Sequence, residues 1–200
     1  MKAIIFDFDG VIHDTFDFHM ARIPKFAGIE LSEQLYKDMH NGNFYTDAPD
    51  EIKQVDWTGY GDYQFQEFRK LSVQEDVRIA IVQLEQSYDL FINSSNMVRN
   101  IEHYLENNQL SHAFIDVLGK ETTNSKVEKF KMIFNNYDLS ADDCIFVTDT
   151  LGDILEANKV GVRTIAVDFG FHERERLEKG NPFKIVSSFD EVVSAVEEAA

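Results

Sequence analysis

The first ten residues, MKAIIFDFDG, constrain this chain more than any other stretch. Lys2–Phe8 is an apolar run dense in isoleucine and phenylalanine, closed by a glycine. Such a run predicts a strand buried on both faces, as in the middle of a parallel sheet. Asp7 and Asp9 interrupt it at its carboxyl end. Side chains two apart on a strand share a side. The spacing therefore predicts two acids together at a strand's carboxyl end, where open α/β sheets bind their ligands. Gly10 is expected to turn the backbone away and leave its N–H facing whatever binds. Two close carboxylates repel unless a positive charge separates them, so a divalent cation is the natural resident.

After this strand the character changes. From about residue 15 to 77 the apolar spacing in Met20–Phe26, Leu31–Met39 and Phe65–Leu71 fits short amphipathic helices, and no buried strand occurs. A helical insertion is the economical reading, with its aromatic cluster packing a small core of its own. Beyond residue 78 strands and helices alternate. Strands are expected at Asp89–Asn93, His112–Val117, Asp142–Thr148, Val162–Val167 and Phe183–Val186. That alternation predicts an α/β fold, a doubly wound parallel sheet, with residues 1–14 and 78–200 as core and 15–77 as an inserted α-helical cap.

On this frame the polar residues fall at strand ends. Asp7 and Asp9 close the first strand, Ser94 the second and Asp149 the fourth, while Lys126 opens the helix after the third. In a parallel sheet these ends share one edge. Carboxylates for a cation, a hydroxyl with helix-terminal amides for phosphate oxygens and a lysine for negative charge suit phosphoryl transfer. No GxGxxG, zinc-spaced Cys/His cluster or Ser/His/Asp order competes.

Composition narrows the classes further. A net charge of −17 argues against nucleic acid or an anionic membrane surface as partner. The lone Cys144 lies in an apolar run and reads as core. The chain shows no basic-plus-apolar leader and no apolar run of spanning length, so a cytoplasmic location is expected. The oligomeric state is left open.

The motifs together resemble the haloacid dehalogenase (HAD) superfamily, in its phosphoglycolate phosphatase and β-phosphoglucomutase type. DFDGVIHDT is similar to the first motif of that family, the serine closing LFINSS to the second, Lys126 to the third and TDTLGD to the fourth. The resemblance implies a Rossmann-like core and a phosphatase acting on a small phosphorylated metabolite through an aspartyl-phosphate. It implies Asp7 as nucleophile and Asp9 as general acid and base. Ser94, Ser95, Gly10 and Lys126 would hold the phosphoryl group. Asp7, Asp9 (through its carbonyl), Asp149 and Asp153 would hold Mg2+. Retention of Asp9 weakens dehalogenase and P-type ATPase readings. A sugar-phosphate mutase and a catalytically idle binding protein on the same fold are the alternatives.

Several details remain expectations of their own. Lys126 is preferred over Lys120 because Asn124 and Ser125 can cap its helix. Asp14 and Thr15 are expected to cap the helix near Phe16. Thr148 is a small-residue replacement before Asp149, and Asn93 is expected to be a buried, hydrogen-bonded side chain. His13 and His19 are expected to be partly exposed with no catalytic role, and His40, in HNGNF, to sit at a helix end. Arg22 is the cap residue expected to meet an anionic substrate.

Overall fold

The computed structural model describes residues 1–200. Its strands are β1 (Ala3–Phe6), β2 (Asp89–Asn93), β3 (Phe114–Leu118), β4 (Cys144–Thr148), β5 (Arg163–Val167) and β6 (Lys184–Val186). They form one six-stranded sheet in the order β3-β2-β1-β4-β5-β6, with every pairing parallel. β1 lies inside the sheet, Ile5 matched to Phe91 on one side and Phe146 on the other. The chain builds outward to β3, returns, and builds outward again from β4. The crevice between the carboxyl ends of β1 and β4 is therefore the topological switch point.

Between β1 and β2 run α1 (Phe16–Ala27), α2 (Glu33–Asp38), α3 (Asp50–Lys53), α4 (Tyr60–Phe68) and α5 (Glu75–Leu84). α6 (Val98–Asn107) follows β2, α7 (Lys126–Tyr137) follows β3 and α8 (Leu151–Lys159) follows β4. α9 (Arg174–Leu177) and α10 (Phe189–Ala199) complete the chain. Alternation along β1 makes the layers. Ile4 and Phe6 face the larger core with residues of α5, α6 and α10, whereas Ala3 and Ile5 face a second core with Phe130 and Ile133 of α7 and Ala157 of α8. Cys144 belongs to that second core and is fully buried. No helix is long and apolar enough to cross a membrane.

Two local readings change. β1 ends at Phe6, two residues earlier than its apolar run. The Phe8 carbonyl accepts the N–H groups of Val11, Ile12 and His13 at 3.3, 3.0 and 3.2 Å, so a tight turn replaces the expected strand end. A turn, rather than strand alternation, sets the relation of Asp7 to Asp9. The expected boundary at residue 78 also falls inside α5, because Val77 already packs in the larger core.

The segment from α1 to α4 has its own small cluster around Ile23, Tyr36, Met39 and Ile52. Phe171, from the loop after β5, inserts into it. Its loop at residues 40–43 lies directly on the start of α8, where Gly152 N–H donates to the His40 carbonyl at 2.9 Å. A Cβ on Gly152 would collide with the Gly42 carbonyl oxygen, so glycine permits this approach. Replacing Gly152 by alanine should lower the unfolding free energy by about 1–3 kcal/mol, the usual effect of forcing atoms into a filled site. Urea denaturation measures it; an unchanged midpoint would show that the loop gives way freely.

Candidate active site

The carboxyl edge of the sheet gathers the side chains that the sequence scatters. Lys126, the first residue of α7, is 2 % exposed. Its Nζ lies 2.9 Å from Asp7 Oδ2 and donates to Asp153 Oδ2 at 2.5 Å. Ser125 caps this helix by accepting Glu128 N–H at 3.3 Å. The Lys126 backbone is clasped as well: Asn93 Nδ2 donates to its carbonyl at 3.1 Å, and its N–H donates to Glu156 Oε1 at 3.2 Å. Asn93 is thus the buried, hydrogen-bonded side chain expected. Lys120 makes no contact with Asp7 or Asp153; its ammonium sits 5.7 Å from the Tyr45 ring.

Asp7, Asp9, Ser94, Ser95, Lys126 and Asp153 line one small cavity. Asp9 is saturated with donors: Thr15 Oγ1 at 2.8 Å, Asn96 Nδ2 at 3.0 Å and His19 Nε2 at 3.3 Å. Thr15 therefore does not cap α1 with its side chain; its hydroxyl goes to Asp9 instead. Ser94 is fully buried, and its Oγ accepts Asn96 N–H at 3.1 Å. Buried Lys129 donates to the Ser94 carbonyl, fixing the backbone of that serine from below. Thr148 is more than a small replacement, since its hydroxyl donates to Asp153 Oδ2 at 2.7 Å.

Burial dominates the electrostatics. It drives the Asp7 carboxyl up to about 8; Lys126 opposes the rise, while Asp153 and Asp9 reinforce it. Asp149 is pushed well above the carboxylate range by burial and then by the charge of Asp7. Burial opposes ionisation of Asp153 too, but the Lys126 charge together with hydrogen bonds from Asp7, Lys126 and Thr148 holds it below its ordinary value. Burial likewise opposes ionisation of Asp9, yet the His19, Asn96 and Thr15 hydrogen bonds leave it lowered. The site thus crowds carboxylates around fewer cations than they need.

No three Asp, Glu, His or Cys side chains are arranged to hold a metal ion by themselves. Magnesium does not require such a cage, because it keeps waters and takes one or two carboxylates plus phosphate oxygens. The residues fit it on one observation. Asp149 Oδ2 accepts Phe171 N–H at 2.7 Å, while Asp149 Oδ1 is buried with no partner. Asp9 has its carboxylate oxygens engaged, so only its carbonyl is left to offer.

Other expectations need correction. Gly10 does not present a free N–H, which donates to the His13 carbonyl at 2.8 Å. Its role is spatial: it adopts φ +75°, and a Cβ there would strike the Asp149 carboxylate. Arg22 turns away from the site, its guanidinium 3.9 Å above the Phe18 ring and 3.6 Å from Glu67. His19 is buried, with its Nε2 3.3 Å from Asp9 Oδ1. With Nε2 facing that carboxylate and carrying the proton, Nδ1 is left to accept from Gln64 Nε2 (3.0 Å) or the Tyr60 hydroxyl (3.1 Å). His13 instead pairs with the Tyr104 hydroxyl at 3.1 Å. Asn96 was legible as the third polar residue of the run SSN. Glu156 and the Phe171 N–H carried no motif at all.

Residues 4–167 match the family model described as haloacid dehalogenase-like hydrolase, and the chain belongs to that family. It is 25% identical over 118 residues to a phosphoglycolate phosphatase of Aliivibrio fischeri, an alignment covering 57% of this chain and 52% of that protein. The chain spans about half the length of the first curated relatives it matches. A hydrolase from Pseudomonas syringae superposes with a TM-score of 0.82 at 13% identity, covering 100% of both chains. A haloacid dehalogenase-like hydrolase from Streptococcus pneumoniae gives 0.79 at 20% identity, covering 98% of each.

Removing the ammonium tests the electrostatic account. Lys126→Met should lower stability by about 3 kcal/mol, because it leaves the buried Asp153 carboxylate, with Asp7 beside it, without a counter-charge. Adding Asp7→Asn to that variant should recover part of the loss. Equal stability of Lys126→Met and the unaltered protein in urea titrations would refute the pairing.

Proposed function

We propose that this protein is a magnesium-dependent phosphatase that hydrolyses a small phosphomonoester through an aspartyl-phosphate on Asp7. The observation that carries this reading is the Asp7–Lys126–Asp153 cluster facing the same cavity as Asp9 and Ser94. A carboxylate nucleophile splits one difficult displacement into two steps.

In the first step an Asp7 oxygen attacks phosphorus and the bond from phosphorus to the ester oxygen breaks. The departing oxygen takes a proton from Asp9. A dianionic phosphoryl group beside Asp9 favours the protonated carboxyl this requires. In the second step water attacks phosphorus, Asp9 takes its proton, and the bond to Asp7 breaks to release inorganic phosphate. The His19, Thr15 and Asn96 contacts suit the carboxylate form that this second step uses. Lys126 and Ser94, with Ser95 beside it, hold phosphoryl oxygens. The Asp7 carboxylate, the Asp9 carbonyl and Asp149 would hold magnesium, with Asp153 directly or through water; the ion supplies positive charge that screens nucleophile from phosphate. The helices α1 to α4 act as a cap over the α/β core, excluding bulk water from the phosphorylated aspartate.

Asp7→Asn should reduce turnover about a thousandfold or more while preserving the fold. Chelation with EDTA should abolish phosphate release, and added Mg2+ should restore it. Near-normal turnover by the asparagine variant would displace Asp7 as nucleophile. Interconversion of hexose-phosphate isomers without net phosphate release would favour the mutase.

A further inference from the structure

The first turn of α7 carries two buried lysines. Lys126 faces Asp7 and Asp153, whereas Lys129 is 0 % exposed and its ammonium donates to the Ser94 carbonyl oxygen. Asp7, Asp153 and Glu156 act on Lys129 only through space, and the charge of Lys126 opposes its own. A buried ammonium without a carboxylate partner is costly, and like charges so close on one helix repel. An apolar side chain would fill the same volume at less cost. Core packing does not account for a lysine at this position.

The acceptor it has found does. Ser94 N–H donates to the Leu118 carbonyl at 3.0 Å, and Asn93 Nδ2 donates to the Lys126 carbonyl at 3.1 Å. The end of β2 and the first turn of α7 therefore exchange side-chain-to-backbone bonds in both directions. Asn93 holds the peptide after Lys126, and Lys129 holds the peptide after Ser94.

That second peptide joins Ser94 to Ser95. It is trans, so its N–H points away from its C=O and hence away from Lys129. Ser95 lines the cavity shared by Asp7, Asp9 and Lys126, and its N–H donates to no group of the protein. The Ser95 carbonyl accepts the Tyr45 hydroxyl at 2.9 Å, which holds the next peptide as well. A cation on the C=O of a peptide draws electron density toward it and makes the N–H on the opposite edge a stronger donor.

We propose that Lys129 is a positioning residue for phosphoryl binding: from behind the Ser94–Ser95 peptide its ammonium holds the Ser94 carbonyl in place and strengthens the Ser95 N–H as a donor to a phosphoryl oxygen. Lys129 acts through the peptide and does not touch substrate. This rests on the phosphatase reading above and adds a residue to the same site.

Titration calorimetry on the unaltered protein, Lys129→Met and Lys129→Gln, with inorganic phosphate in the presence of Mg2+ and with Mg2+ alone, tests the proposal. At about pH 6 the Lys129 ammonium, pushed down to about 7 by burial and then by Lys126, keeps its proton. Lys129→Met should weaken phosphate binding about tenfold, a part of what losing a whole donor costs, and raise KM for acetyl phosphate with it. Binding of Mg2+ should be unchanged or tighter, because a positive charge has left the surroundings of Asp7 and Asp153. A disturbed site would weaken both ions, so the opposite responses separate lost charge from lost structure. Lys129→Gln, a polar head without the charge, should show the same split and covers the case in which methionine does not fold. Phosphate affinity within about twofold of the unaltered protein in both variants would overturn the proposal and leave the phosphatase intact. Weakening of phosphate and Mg2+ together, or failure of both variants to fold, would do the same and make Lys129 a support of the fold. An unaltered protein that neither binds phosphate nor turns over acetyl phosphate with Mg2+ would overturn the phosphatase reading and the proposal with it.

Discussion

Lys126 sets a single ammonium where Asp7 and Asp153 would otherwise face one another across a buried gap. Ion pairs of this kind cost desolvation of every member, and the mutual attraction offsets it only when geometry is good and the remaining polar atoms are satisfied. The local structure supplies that geometry through backbone as well as side chain. Ser125 starts α7 at the right residue, Asn93 at the end of β2 holds the Lys126 carbonyl, and Glu156 of α8 holds its N–H. Three separate elements fix one lysine. Through it they also fix the acid that follows β1.

The same acid of α8 extends this frame to the helices between β1 and β2. Glu156 accepts from Asn43 Nδ2 at 3.2 Å as well as from Lys126, and Asn43 also donates to the Asn124 carbonyl at 2.9 Å. On the other flank Lys37, Asp38 and Asn41 meet Glu173 and Arg176, and His172 bonds the Lys37 carbonyl at 2.9 Å. These contacts bind α2 and its loop to the core, and they occupy Lys37 and Arg176 on the way. The cavity beside Asp9 is left with aromatic walls from Tyr36, Phe44, Trp57, Tyr60 and Phe171, and with Lys120 as the lysine in its lining.

The strands were legible because a doubly covered parallel sheet leaves short, almost purely apolar runs, and AIIF, DLFIN and CIFVT have that form. Asp7, Ser94, Lys126 and Asp149 were legible because the edge where they meet follows from topology alone. Side-chain direction is another matter. Gly10 was read as a free donor, but the turn at Phe8 closes its N–H onto His13. Thr15 was read as a cap, yet a hydroxyl one turn from Asp9 finds a buried carboxylate instead of its own helix. Arg22 faces the wrong way because α1 turns His19 and Ile23 inward, leaving position 22 beside Phe18 and Glu67. Glu156 escaped notice because its partners, a backbone N–H and a loop asparagine, leave no pattern in sequence.

The overall charge of −17 gives these placements a further consequence. A field of that sign repels an approaching phosphate at distances within the screening length and slows its encounter. On the proposed function, attraction for the phosphoryl group must then be short-ranged, confined to Lys126, nearby amides and the magnesium that reading calls for. Such a site recognises phosphate only after the molecule has entered. On the proposed reading, the leaving-group half of the substrate can gain from the Trp57, Tyr60 and Phe44 surfaces that line the cavity beside Asp9. Affinity and selectivity then reside chiefly in the helical segment, while the sheet edge supplies the chemistry. Variation in the helices between β1 and β2 would redirect the protein to another alcohol without disturbing the lysine-centred frame beneath it.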